Sequence, residues 1–140
     1  MNKREILFRA KQTDNGEWAE GYFAKGKWYL DEKEKYAILP IDLCFYPRCE
    51  INEWIEIDPE TLCQYTGLTD KNGKKVFIGD IIRCSKGCPH EVIWLQEYGG
   101  TYIGGMPAVY LSGLFKGYAW TGEEEKIGNI FDNPELLKGE

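Results

Sequence analysis

The stretch from Thr61 to Cys84 constrains the fold most, because it alternates turn chemistry with short β-favouring runs. Asp70-Lys71-Asn72-Gly73 ends in an Asn-Gly pair, which accepts positive φ at both central positions of a tight turn. The apolar run Val76-Phe77-Ile78 follows at once, so a hairpin is expected. Gly79-Asp80 then redirects the chain before Ile81 and Ile82, because Gly carries no Cβ and Asp bonds backbone two residues on. A further strand should begin there.

The same punctuation recurs on both sides. Ile6, Phe8 and Ala10 alternate with Leu7, Arg9 and Lys11, which predicts a first strand with one wetter face. After a turn at Asp14-Asn15-Gly16, Trp18 to Phe23 reads as its partner, and Lys25-Gly26-Lys27 as a reversal into Trp28-Tyr29-Leu30. Asp31 to Lys35 has no apolar stripe and is expected as an exposed loop or one helical turn. Pro40 and Pro47 break the runs Tyr36–Leu39 and Leu43–Tyr46, which suits edge strands or irregular linkers better than a central strand. Ile51, Trp54, Ile55 and Ile57 read as a further strand or extended segment, with a spacing that also allows a helical turn, and Asp58-Pro59-Glu60-Thr61 can cap a short helix or form a turn between two subdomains. The division is therefore placed as an N-terminal β meander, 1–60, followed by 61–140. Beyond it, Glu91 to Tyr98 is the longest strand candidate. Gly99-Gly100, Gly104-Gly105-Met106-Pro107 and Ser112-Gly113 punctuate the strands at Tyr102, Val109 to Leu111 and Leu114 to Trp120. Thr121 to Glu125 reads as an acidic loop, Lys126 to Phe131 as the closing strand, and Asp132 to Leu137 as a capped helical turn.

Composition agrees with a mostly β reading: aromatics are 14% of 140 residues, and the glycines and prolines are spread along the chain rather than clustered. A net charge of −6 is opposite to what a phosphate-tracking face carries. Nucleic acid is thereby disfavoured as a partner, although Lys71, Lys74, Lys75 and Arg83 form a local basic cluster near the central hairpin. There is no apolar run long enough for a membrane span and no apolar signal core after Met1, so a cytoplasmic protein without a membrane partner is expected. The 5 cysteines, an odd number, then read as reduced thiols.

Cys84, Cys88 and His90 fall close together, and thiolate and imidazole are the ligands a tetrahedral zinc site draws on. A fourth ligand would have to come from Cys44, Cys49 or Cys63. Small apolar thiols and one loop histidine explain the residues without a metal, so no metal and no cofactor is expected. The same residues also read as a Cys-His nucleophilic pair, but no oxyanion loop accompanies them. Asp70 and Asp80 could pair as an acid and base or hold a metal ion, yet each stands beside a turn glycine where backbone bonding accounts for it. The rings of Trp18, Tyr22, Trp28, Tyr29, Trp54, Tyr65, Trp94, Tyr98 and Tyr102 are too many for one small core. Some should be exposed and serve stacking, peptide binding or self-association.

Gln64, Tyr65, Thr66 and Gly67, then Asp70, Asn72-Gly73 and Gly79-Asp80-Ile81, resemble the central signature of the YopX family of phage and prophage proteins. The resemblance extends to Arg4–Ala10, Gly21-Tyr22, Ile38-Leu39-Pro40, Asp58–Thr61, Ile127–Ile130 and Asn133–Leu137, and leaves Ser85–Lys126 unplaced. The chain departs from the pattern at Lys11, where Trp is usual, and at Ile78, where an acidic residue is. What the resemblance implies is a mostly β protein with an SH3-type barrel-like roll in its C-terminal part, self-assembly into a homo-oligomer, and no catalytic residue to carry over. The expected function is a non-enzymatic binding or assembly module with a phage or host protein as partner. The alternatives are a nucleic-acid accessory protein, or zinc or thiol chemistry at Cys84, Cys88 and His90.

Overall fold

The computed structural model describes residues 5–27, 30, 32–43, 53–95, 108–112 and 120–137. The chain is mostly β, with isolated 3₁₀ turns as the helical segments among the described residues. It divides into two compact units, 1–65 and 66–140.

In the first unit, β1 (Phe8–Lys11), β2 (Trp18–Lys27), β3 (Glu34–Pro40) and β4 (Ile55–Glu56) lie in the order β4-β3-β2-β1, all antiparallel. The start of β5 (Cys63–Thr69) pairs with β1. One sheet face carries the core of Ala10, Ala19, Ile38 and Ile57, against which Phe8, Phe23, Tyr36, Ile55 and Leu62 pack. The first strand has no wet face: Leu7 is fully buried and Arg9 nearly so, whereas Ile6 is exposed. The Arg9 guanidinium lies 4.7 Å from the Trp18 ring centroid, a stack that lets a cation sit inside the sheet.

Lys25-Gly26-Lys27 is not a reversal. It continues β2, paired with Tyr36, Lys35 and Glu34, so part of the charged run expected as a loop is strand. Ion pairs Lys25–Glu34 at 3.7 Å and Lys35–Glu56 at 3.4 Å run across the strands, which is how a charged segment finds its place in a sheet. Nor is Tyr36–Leu39 at an edge, since β3 lies between β2 and β4. Pro40 is tolerated as its last residue because β4 reaches only Ala37 and Ile38. The Asp58 carboxylate caps the 3₁₀ turn Pro59–Thr61 by accepting the Glu60 N–H at 3.0 Å, with Pro59 in the first turn as expected.

In the second unit β5 ends beside β6 (Lys75–Phe77). A separate sheet has the order β10 (Glu125–Asn129), β7 (Asp80–Arg83), β8 (Pro89–Leu95) and β9 (Ala108–Leu111). Val76, Ile82, Val92 and Leu111 form its core, with Trp120 against them. Neither antiparallel sheet closes into a barrel, so the barrel-like roll implied by the resemblance is realised as open sheets. Between Lys126 and Gly128 the register of β10 against β7 shifts, and the chain leaves the strand into the turn that Asn129 caps for Phe131 and Asp132.

The central hairpin forms, but only Gly73 takes positive φ, at 82°; Asn72 does not. The cause is Asp70, whose Oδ1 accepts the N–H groups of Asn72 and Lys74, each at 2.9 Å, and so encloses a wider loop than a two-residue Asn-Gly turn. Glu124 is a second departure: it is 1% exposed inside the stretch read as an acidic loop. Cys44, Cys49, Trp28, Tyr29, Tyr98, Tyr102 and the turns at Gly99-Gly100 and Gly104-Gly105 lie outside the described residues.

Candidate functional site

The signature residues build frame. Gln64 pairs with Phe8, and the Tyr65 N–H donates to the Leu7 carbonyl at 2.8 Å. The Thr66 hydroxyl donates to the Val76 carbonyl at 2.7 Å and accepts the Leu68 N–H at 3.1 Å, which locks β5 to β6. Gly67 and Gly79 take φ of 86° and 96°, where an L side chain is strained. Gly79 donates to the Val92 carbonyl and accepts from the Ile130 N–H, both at 2.9 Å.

Asp70 and Asp80 meet through Lys126. Beyond its own loop, Asp70 accepts the Lys126 N–H through Oδ2 at 2.8 Å. Asp80, fully buried, accepts the Phe77 N–H at 2.8 Å and pairs with the Lys126 ammonium at 3.1 Å. Burial by itself would raise the Asp70 carboxyl; the backbone donors of Lys126, Lys74 and Asn72, with the charge of Lys74, outweigh it and hold the group below the ordinary value. Carboxylates committed in this way brace strands and leave little for proton transfer to a substrate. The basic cluster is interleaved with acids as well: Lys71 pairs with Glu125 at 3.5 Å, and Glu125 lies across from Arg83.

Cys84, Cys88 and His90 do converge on one cavity of about 290 Å³, which Lys86, Leu111 and Glu124 also line. The β7–β8 hairpin loop puts them there. Cys84 donates its N–H to the Cys88 carbonyl at 3.0 Å, and Gly87, at φ 88°, donates to the Cys84 carbonyl at 2.9 Å. His90 follows on β8, opposite Ile82. Its Nδ1 lies 2.6 Å from the Ser112 carbonyl. Since a carbonyl only accepts, Nδ1 carries the proton, and Nε2 is the ring atom that meets the Cys84 thiol. Burial tends to raise the Cys84 thiol, but the Cys88 N–H, the His90 side chain and the Lys86 N–H overcome this and lower it to about 7.

Glu124 sits in the same cavity with its carboxylate held by the Thr121 N–H and hydroxyl and the Gly122 N–H, at 2.8 to 3.3 Å. Burial works to raise its carboxyl, and these donors bring it below the usual value. Among the described residues no three His, Cys, Asp or Glu side chains gather as ligands for a metal ion. Cys63, considered as a fourth ligand, is buried in the first unit and donates its thiol to the Thr61 carbonyl at 3.3 Å. Lys86, Thr121 and Glu124 were not foreseen as cavity residues, nor Ser112 as the group behind the His90 ring. No local pattern marks Ser112 or Glu124, but the shared spacing of Asp70-x-x-Gly73 and Cys84-x-x-Gly87 is visible in the sequence and was the available clue.

The family model described as YopX protein matches residues 7–138. The chain belongs to the YopX family. A solved structure in the same fold, the crystal structure of protein EF1440 from Enterococcus faecalis, is 24% identical to this YopX-family chain with a TM-score of 0.57. The match covers 96% of this chain and 99% of that one. No curated protein matches. Among the described residues of this YopX-family chain, no helix is long and apolar enough to cross a membrane.

Proposed function

We propose that the chain is a non-enzymatic, phage-encoded accessory module of the bacterial cytoplasm that self-associates, with a second copy covering the open face of its first unit. One observation carries this reading. Register pairs Tyr22 with Leu39, Ala24 with Ala37 and Gly26 with Lys35. These positions face away from the core of Ile38 and Phe23, and Ala24, Gly26, Lys35, Ala37 and Leu39 line, with Trp54, a depression of about 360 Å³. Its floor is small and apolar, Trp54 in its lining is 42% exposed, and Tyr22, across from Leu39 on the same sheet face, is 41% exposed. An antiparallel sheet with one face on the core normally shows polar side chains on the other, so an apolar concavity there fits a covering surface. Lys25, Lys27 and Lys35 rim it, two of them paired with Glu34 and Glu56, so the rim carries both signs, which suits a self-complementary contact with a second copy. A two-fold contact would place the same patch of both copies together.

Multi-angle light scattering of the full chain at micromolar concentration is expected to give a mass above that of the monomer. Ala24→Glu, which puts a carboxylate into the floor of the depression, is expected to return the mass to the monomer with the circular dichroism spectrum kept. A monomeric parent chain would contradict the reading.

A further inference from the structure

The two hairpin loops of the second unit share one design. In Asp70–Lys74 the first residue donates its N–H to the last carbonyl at 2.8 Å, and Gly73 donates to the Asp70 carbonyl at 2.9 Å. In Cys84–Cys88 the equivalent bonds are 3.0 and 2.9 Å, and the glycines match at φ 82° and 88°. The side chain of the first residue fills the same pocket of amides in both. The Asp70 carboxylate accepts from the second and fourth residues onward, Asn72 and Lys74. Cys84 faces the N–H groups of the corresponding Lys86 and Cys88. Amides in this position only donate, so the slot accommodates an anion and offers nothing to a proton on sulfur. A thiol stands where the sister loop has a carboxylate.

His90 adds what Asp70 does not have. Its ring is set by the Ser112 carbonyl, and Ser112 is itself anchored because its N–H donates to the Glu91 carbonyl and its hydroxyl accepts the Glu91 N–H, both at 2.8 Å. The base is therefore oriented by a third group, the arrangement that activates a nucleophile. The cavity in front of the sulfur holds Lys86, Cys88 and His90 as its other thiol and basic groups, and Glu124 as its acid. Glu124 is saturated by Thr121 and Gly122, so it serves as a fixed negative charge and His90 as the proton acceptor.

We propose that Cys84 is a reactive thiolate site that undergoes exchange with low-molecular-weight disulfides admitted to this cavity. The Cys84 thiol proton passes to His90 Nε2, and the sulfur attacks one sulfur of the disulfide. A new S–S bond forms at Cys84 as the old one breaks, and the departing thiolate takes the proton back from His90. One thiol is consumed and one released, so no further oxidant is required.

The full-length reduced protein is treated with oxidised glutathione, and separately with iodoacetamide over a series of pH values, with modification read peptide by peptide by mass spectrometry. Cys84 is expected to carry the glutathione adduct. Its alkylation at neutral pH should run about fivefold faster than that of exposed Cys88, because a larger thiolate fraction outweighs lower intrinsic nucleophilicity. The pH profile should have its midpoint near 7. His90→Gln should move that midpoint upward while leaving the fold intact. Cys84→Asp tests the slot independently of reactivity: the variant is expected to fold at least as stably as the parent, since it repeats the Asp70 loop, and to take up no glutathione at position 84. Equal rates at Cys84 and Cys88 with a common midpoint at the ordinary thiol value, or a Cys84→Asp chain that fails to fold, would overturn the proposal.

Discussion

Asp70→Ala is expected to destabilise the protein by about 3 to 5 kcal/mol, measured by urea unfolding, because it strips a buried carboxylate from backbone donors that have no substitute. Asp70 is 4% exposed, and its oxygens accept from Asn72, Lys74 and Lys126. The first two close the central hairpin. The third ties that hairpin to β10, across 56 residues of sequence. Alanine leaves three part-buried N–H groups without a protein acceptor, and the cost of leaving them unpaired is the larger part of the loss. Asp70→Asn separates the parts: its carbonyl oxygen can keep the hairpin donors, while its NH₂ meets the Lys126 N–H as donor against donor, so about half the loss is expected. A cost below about 1 kcal/mol for the alanine variant would show that these bonds are replaceable by water.

The same carboxylate gives the pH dependence its sign. Its folded value is lowered, net of burial, so its contribution is complete above the unfolded carboxyl value and is lost as pH falls through the folded one. Glu124 is lowered too and adds to the same acid limb. Stability should therefore begin to fall below about pH 5 and drop with increasing steepness toward pH 3. In Asp70→Ala that limb should be shallower than in the parent, the remaining slope being due to Glu124 and the other carboxylates.

The parts of this fold that show in the sequence are those whose cause is local. Asn72-Gly73, Gly79-Asp80 and Asp58-Pro59 are turn chemistry within four residues, and a reversal or cap forms at each, although the loop at Asn72-Gly73 is wider than that pair alone would make. What does not show is the partner of each polar group. Nothing near Asp70 points to Lys126, nothing near His90 points to Ser112, and Glu124 among Thr121 to Glu125 looks like any solvated acid until its carboxylate is found folded onto Thr121. Cys84, Cys88 and His90 were legible as a cluster, but the reason they matter, an aspartate-type slot occupied by sulfur, is a statement about backbone N–H directions that spacing cannot express. Lys25-Gly26-Lys27 misleads for the reverse reason. Its local chemistry is that of a turn, and cross-strand pairing with Glu34, Lys35 and Tyr36 overrides it.

Two glycines of that same strand provide the sharpest test of the sheet. Gly21 and Gly26 both lie in β2, and neither has positive φ, so backbone freedom does not distinguish them. Space does. A Cβ on Gly21 would run into the Leu39 carbonyl oxygen and come within 3.1 Å of Ile38 Cγ2, whereas a Cβ on Gly26 meets nothing within 4 Å. The obstacle at Gly21 is main chain of the neighbouring strand, which cannot rotate away like the tip of a side chain. Relief would require β2 and β3 to part where Gly21 pairs with Pro40 and Tyr22 with Leu39. Gly21→Ala is therefore expected to cost about 3 kcal/mol or more, the upper range for forcing extra volume into a packed element. Gly26→Ala should be neutral or stabilise by about 0.5 kcal/mol, since alanine has less chain entropy to lose on folding. The measurement is a pair of thermal or urea melts on variants differing only in which glycine carries the methyl group. Similar midpoints for the two would mean that β2 and β3 do not approach at Gly21 as closely as the structure has them, and the register from Gly21–Pro40 to Lys27–Glu34 would have to be redrawn.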